Sequence, residues 1–375
     1  MEKLRVKVLE VNQPIQKFYV GVMDYRDVIR LSTTNMNEIK NNNEDVYQRQ
    51  LDEKRLPSLK RYMEYSRASF PNGILLNSKV PLEYENGYLL VPDDNNTFFI
   101  IDGQHRIEAL KYYNKKEPFD VCVVIFNNLN VDLQTELFVT VNNEQKKVNP
   151  NIRMNLKGND EIDSPDKIAR NIVIALNKDS KSPFKKLIKL DDKKESKGII
   201  SLYTIAIPII EYIYNSQDYY IVKDALIKNK NNKECLRNIY DKDNKVKRIF
   251  WDFYLENEEA TLYAILVNYF SAIKDIFPHD WGNPNSLLCK TTGYNALMLL
   301  FKDVFIDLKP NLSYDNIYNY LYSIRHMRGS FTLDKMGVGK AASSKLYNEL
   351  KKHIKNKSEY QLDYQMLSLF DETED

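Results

Sequence analysis

Five adjacent residues offer the most chemistry in this sequence: Asp102, Gly103, Gln104, His105 and Arg106. They follow a β-prone run, Thr97–Ile101 (TFFII), and open an apolar-periodic segment, Ile107–Tyr113. A strand, a glycine turn and a helix start leave orphan backbone N–H groups facing outward, and such groups hold anions. Gly103 can adopt a conformation that other residues resist, and it admits close backbone approach. Arg106 supplies a planar fork of donors suited to phosphate oxygens. His105 can donate to phosphate or move a proton. Asp102 suits a water, a ribose hydroxyl, a metal, or only the turn. The pattern predicts a turn that contacts phosphate or nucleotide. In the plainer alternative, Arg106 pairs with a carboxylate such as Asp102 or Glu108. The run is neither a P-loop nor a Rossmann fingerprint.

A second concentration lies between Tyr47 and Met63. Arg49, Lys54, Arg55, Lys60 and Arg61 face only Asp52 and Glu53. The local field is positive, which suits either phosphate contact or a solvated helix face. Asp52 also suits a helix cap. A third basic run is Arg325–Ser330 (RHMRGS), where Arg325 and Arg328 could meet a nucleic-acid backbone or belong to a loop. Asn142 and Asn143 follow a predicted helix. They can cap its end, or donate and accept at a base or ribose edge. Phe138 reads as core. The four histidines, His105, His279, His326 and His353, are scattered, and none pairs at helical spacing with Cys or another His, so no metal site is expected.

The string DGQHR, with Ala109 three positions beyond Arg106, resembles the signature of the DGQHR-domain family, which includes the DndB proteins of bacterial DNA phosphorothioation systems. That family's core is similar to the ParB/sulfiredoxin-like fold, in which a G-x-x-R segment at a helix start binds nucleotide phosphates. Gly103, His105 and Arg106 fall on that segment. The Tyr47–Tyr62 region resembles the part preceding the core strands, with Arg55 in the pocket and Glu53 or Asp52 as a possible base. Glu136–Val148 resembles the F-x-x-x-N motif that follows the core, with Asn142 at the nucleotide. Lys290–Ala296 (KTTGYNA) resembles a stretch of the family's helical half.

The resemblance implies a DNA-binding regulatory protein of a bacterial DNA-modification or defence locus. It implies contact with double-stranded DNA through Arg49, Lys60, Arg61, Arg325 and Arg328. It also implies ATP or CTP with Mg2+ at Asp102, Gly103, Gln104, His105, Arg106, Arg55 and Asn142, and a nucleotide-gated homo-oligomer. Two other functions compete: a nucleotide-binding or slowly hydrolysing switch, and a non-catalytic adaptor for proteins of the same locus.

Several elements must position these residues. Leu4–Val11 and Gln16–Val22 read as strands, and Asp24–Arg30 as a short helix with Asp24 at its N-cap. Leu56, Leu59 and Met63 recur at helical spacing. Gly73–Ser78, Tyr88–Val91 and Phe119–Phe126 read as strands, the last as a central one. Thr97–Ile101 and Val121–Ile125 are expected to be neighbours. Val131–Val141 is a helix with Leu133, Leu137 and Phe138 on one face. Beyond Ser164–Pro165, a cap and first turn, long apolar periods dominate. The expected architecture is therefore α/β: a ParB/sulfiredoxin-like core over residues 1–155, then a mainly α-helical domain over 160–375. The lysine-rich run 181–197 reads as a solvated loop, with a phosphate-contacting surface as the alternative.

Composition sets the outer bounds. Of 375 residues, 43% are hydrophobic and 28% charged, which is ordinary globular composition. The formal charge of +2 excludes a globally basic nucleic-acid coat, so any binding face must be local. Cys122, Cys235 and Cys289 form no CxxC pair, which fits a reducing compartment. No run approaches ~20 apolar residues, and a cytoplasmic location is expected.

Overall fold

The computed structural model describes residues 3–33, 56–144, 149–190, 198–240 and 247–354. The chain divides into two units, Met1–Lys147 and Val148–Asp375.

The first unit is built on a mixed sheet. Its strands are β1 (Lys3–Asn12), β2 (Lys17–Asp24), β3 (Ser32–Thr33), β4 (Ile74–Ser78), β5 (Glu83–Glu85), β6 (Tyr88–Pro92), β7 (Phe98–Asp102) and β8 (Asp120–Phe126). Their order across the sheet is β3-β7-β4-β8-β2-β1-β6-β5. The period of two in the sequence sorts side chains between the faces. Val121, Val123 and Ile125 are fully buried on one face, under the helices α1 (Tyr25–Leu31), α2 (Leu56–Glu64) and α3 (Gln104–Leu110). Each such side chain contributes about 1.5–3 kcal/mol through its burial. Phe126 packs on the other face with Phe18, Ile101 and Leu129, under Leu133, Leu137 and Phe138 of α4 (Val131–Glu144). Phe138 is thus a packing residue.

One expected neighbour relation is corrected. β7 and β8 are not adjacent, because β4 lies between them, antiparallel to β7 and parallel to β8. Apolar runs specify which face is buried but not which strand stands alongside. Buried Asn77 secures the insertion: its amide accepts from Leu129 N at 2.8 Å and donates to Leu129 O at 3.2 Å. Asp24 caps α1 as expected, accepting from Arg26 N at 2.8 Å.

The second unit is mainly helical. It contains α5 (Pro150–Leu156), α6 (Pro165–Lys178), α7 (Leu202–Ile213), α8 (Tyr219–Lys228), α9 (Trp251–Leu255), α10 (Glu259–Ile276), α11 (Thr291–Leu308), α12 (Tyr314–Leu321), α13 (Leu333–Met336) and α14 (Lys340–Lys352). A two-residue parallel pair, Ile188–Lys189 with Ile200–Ser201, is added to the helices. Ser164 caps α6 through Lys167 N, and Pro165 occupies its first turn, where a missing N–H costs little. Buried tyrosines tie helix to helix: Tyr269 Oη donates to Leu297 O at 2.7 Å and Tyr212 Oη to Met298 O at 2.5 Å. Within KTTGYNA, a Cβ at Gly293 would stand 2.3 Å from Leu287 O, so only glycine fits there. In the described part of the lysine-rich run, 181–190, the lysines Lys181, Lys185, Lys186 and Lys189 are exposed, and an apolar residue between them anchors the segment. Phe184 is fully buried against Phe270 and Trp281.

Candidate functional site

The DGQHR turn is formed as the sequence predicts, but its arginine faces inward. β7 ends at Asp102, Gly103 is the N-cap of α3 at φ 111°, and Gln104 opens the helix. That φ is left-handed and open to glycine at little cost. A Cβ at Gly103 would also meet Ile74 of β4 at 3.0 Å. The helix starts tightly, with Arg106 N and Ile107 N both bonding to Gly103 O. The Arg106 guanidinium pairs with Asp102 one turn back. Its Nη1 donates to the carbonyls of Asn72 at 2.7 Å and Gly73 at 3.0 Å, just before β4. The motif therefore joins β7, α3 and the entry to β4. This is the plainer of the two arrangements open to the sequence: Arg106 paired with a carboxylate. Gln104 and His105 are half-buried in the first turn. Glu108 is paired with Lys111 at 2.6 Å.

Beside this turn the structure brings together residues that the sequence keeps apart. Lys60 of α2 stands 5.5 Å from the centre of the Tyr112 ring, just beyond α3. Lys115 Nζ donates to Tyr65 O at 2.7 Å, closing the α3 turn onto the end of α2. Tyr113 points inward against Tyr25 and Phe119, whereas its neighbour Tyr112 is exposed. The segments 60–67 and 111–117 carry Lys60, Arg61, Arg67, Lys111, Lys115 and Lys116, with only Glu64 and Glu117 as acids. Sequence reading found Lys60 and Arg61 and missed the lysines after α3.

The other candidates fall as follows. Arg49, Asp52, Glu53 and Arg55 lie outside the described residues. Asn142 sits within the last turn of α4, which runs to Glu144 instead of ending before it. Its side chain is likewise outside the description. Arg325 lies over the Tyr322 ring at 4.0 Å and donates to Tyr322 O. Arg328 Nε donates to Ile276 O at 2.6 Å. Both arginines thus brace their own unit's backbone while remaining exposed. Two of the scattered histidines do meet: the rings of His326 and His353 are 4.2 Å apart. Among the described residues, no group of three or more His, Cys, Asp or Glu is placed to hold a metal ion. Burial pushes the Cys289 thiol up to about 12, which leaves it inert as a nucleophile. No described helix is long and apolar enough to cross a membrane.

A mixed sheet flanked by helices, an inward-tied DGQHR turn and a basic face beside it describe the first unit; a mainly helical region follows. The family model for DndB, described as DNA-sulfur modification-associated, matches residues 6–261. The chain belongs to that family, and is thereby a protein of a DNA-modification or defence locus. No curated protein and no solved structure gives a significant match.

Proposed function

We propose that this chain is a DNA-binding regulatory protein that contacts the phosphate backbone of double-stranded DNA through the α2 and post-α3 face of its first unit. The observation that carries this reading is the concentration of Lys60, Arg61, Arg67, Lys111, Lys115 and Lys116 on two segments that the Lys60–Tyr112 and Lys115–Tyr65 contacts bring together, in a near-neutral protein that belongs to a DNA-modification family. Lysines act on phosphates as point charges, so the face positions DNA without reading sequence. Arg49 and Arg55, next to α2 in the chain, extend the same charge pattern. Arg325 and Arg328 are proposed as a separate backbone contact in the second unit.

The test is titration of a labelled duplex by anisotropy at several salt concentrations. Lys60→Glu with Lys116→Glu should weaken binding across unrelated sequences and flatten the salt dependence. Unchanged affinity and slope in the folded double variant would remove this face from the interface.

A nucleotide, ATP or CTP with Mg2+, at a ParB/sulfiredoxin-like turn is a finer proposal. It requires Arg106 to exchange Asp102 and two carbonyls for phosphate oxygens. Calorimetry with ATP and CTP separates the cases: wild-type-like heats with folded R106A would end the phosphate-cradle reading. The same outcome would leave the DNA reading untouched.

A further inference from the structure

We infer that Tyr112 is a base-stacking platform, so that the basic face engages an unpaired nucleotide as well as the duplex backbone. This rests on the DNA reading above and narrows its substrate to single-stranded or locally opened DNA. The tyrosine pair after α3 splits its duties. Tyr113 is 8% exposed and packs edge-on against Phe119 at 5.0 Å, whereas Tyr112 is 37% exposed. Tyr112 is not required by the core, and it stands among cations. Lys60 approaches its ring at 5.5 Å; of the lysines beside it in the chain, Lys116 is exposed, Lys111 is paired with Glu108, and Lys115 is turned to Tyr65 O.

An aromatic ring beside phosphate-binding lysines is the minimal apparatus for holding a strand whose bases are splayed. The ring takes a base face while the ammonium groups track the backbone. Stacking of this kind tolerates any base, because every base has a π-face. The duplex offers no such face, since its bases are already stacked on each other.

Among the described residues two other tyrosines are comparably exposed, and their surroundings differ. Tyr84 sits between Glu83 and Glu85 with its ring on Tyr19 at 5.3 Å, which is the wrong charge for a phosphodiester. Tyr322 has an aromatic neighbour, Tyr318 at 5.6 Å, as well as a closer cation, Arg325 at 4.0 Å, so less of its ring is open to a base. Among the described residues Tyr84 lacks a cation over its ring and Tyr322 has an aromatic neighbour; Tyr112 combines exposure and a nearby cation with no aromatic ring contact.

The experiment uses the full chain and three probes of one sequence: a duplex, its single strand, and the duplex with one unpaired central nucleotide. Tyr112→Ala should weaken the single strand and the unpaired-nucleotide duplex by roughly 5- to 150-fold, the range expected for one stacked base. Intact duplex should change less than about twofold, and Tyr112→Phe should restore single-strand affinity because it keeps the ring. Single-strand binding that survives Y112A while Lys60→Glu abolishes it would overturn the stacking role and leave the DNA face standing. Equal losses on all three probes would also overturn it, as would failure of Tyr112→Phe to rescue. No binding to any probe, with Lys60→Glu silent, would overturn the DNA reading itself.

Discussion

Arg106 ties three pieces of backbone together, and its removal leaves each of them short of a partner. Its pair with Asp102 is shielded, with side-chain exposures of 18% and 22%. Breaking a shielded pair strands the remaining charge, and two carbonyls would lose their donor as well. Arg106→Ala should therefore cost about 2–4 kcal/mol, measured by urea unfolding. Arg106→Lys should recover part of that, since one ammonium cannot reach all three acceptors in the fork's geometry. Gly103→Val should also destabilise, by about 2 kcal/mol or more, because φ 111° strains a β-branched residue and its Cβ would press on Ile74. A wild-type-like midpoint in either Arg106→Ala or Gly103→Val would contradict the tie.

Helix starts carry a different kind of vulnerability, one that depends on pH. Hydrogen bonds from Arg26 hold the Asp24 carboxyl below its ordinary range, and the Tyr263 hydroxyl does the same for Asp179 at the end of α6. A carboxylate whose folded pKa is lowered stabilises the native state above its unfolded value, near 4. That contribution disappears as pH falls through the lowered folded value. Stability should thus decline from about pH 5 downward. Asp24→Asn keeps a capping oxygen but loses the charge. Its acid slope should be shallower than that of the wild type, while its neutral-pH loss stays within about 1 kcal/mol. Thermal melts from pH 3 to pH 7 test this, and an identical acid slope would refute the assignment. Ser164→Ala, which removes the α6 cap, should cost about 1 kcal/mol at every pH in that range.

At the scale of the molecule, charge and tyrosine burial make separate predictions. Neutralising two phosphate-contacting lysines should lower the slope of log affinity against log salt by roughly two, since each contact releases about 0.9 counterion. A smaller change would mean that Lys60 and Lys116 do not both meet phosphate. The helical unit holds Tyr212, Tyr214, Tyr269 and Tyr294 in its interior, and burial raises all four hydroxyls above their ordinary value of 10. A group whose folded pKa is raised stabilises the fold below its unfolded value and loses that contribution as pH rises through the folded one. Ultraviolet titration of the tyrosinates should show a late class that ionises only together with unfolding. Smooth titration of all 26 tyrosines near pH 10 in the folded protein would contradict the packing.

Much of this architecture was legible in the amino-acid order, because the signals are local. Apolar and β-prone runs of strand length identified β1, β2, β7 and β8 to within two or three residues, and side-chain caps at Asp24 and Ser164 marked two helix starts. The Asp102–Arg106 turn was visible for the same reason: an Asp-Gly step between a strand and an apolar-periodic segment is a short-range pattern. What lay beyond reach was lateral. The insertion of β4 between β7 and β8 depends on backbone pairing, and peptide groups carry no side-chain signature. The same is true of Arg106, whose partners at Asn72 and Gly73 are main-chain oxygens that any residue could supply. Lys60 stands out in sequence as part of a basic concentration, whereas Tyr112 looks like an unremarked surface residue. Only the packing of α2 against α3, driven by apolar groups such as Met63 and Ile107 on their buried sides, sets the lysine beside the ring and turns scattered charge into a face.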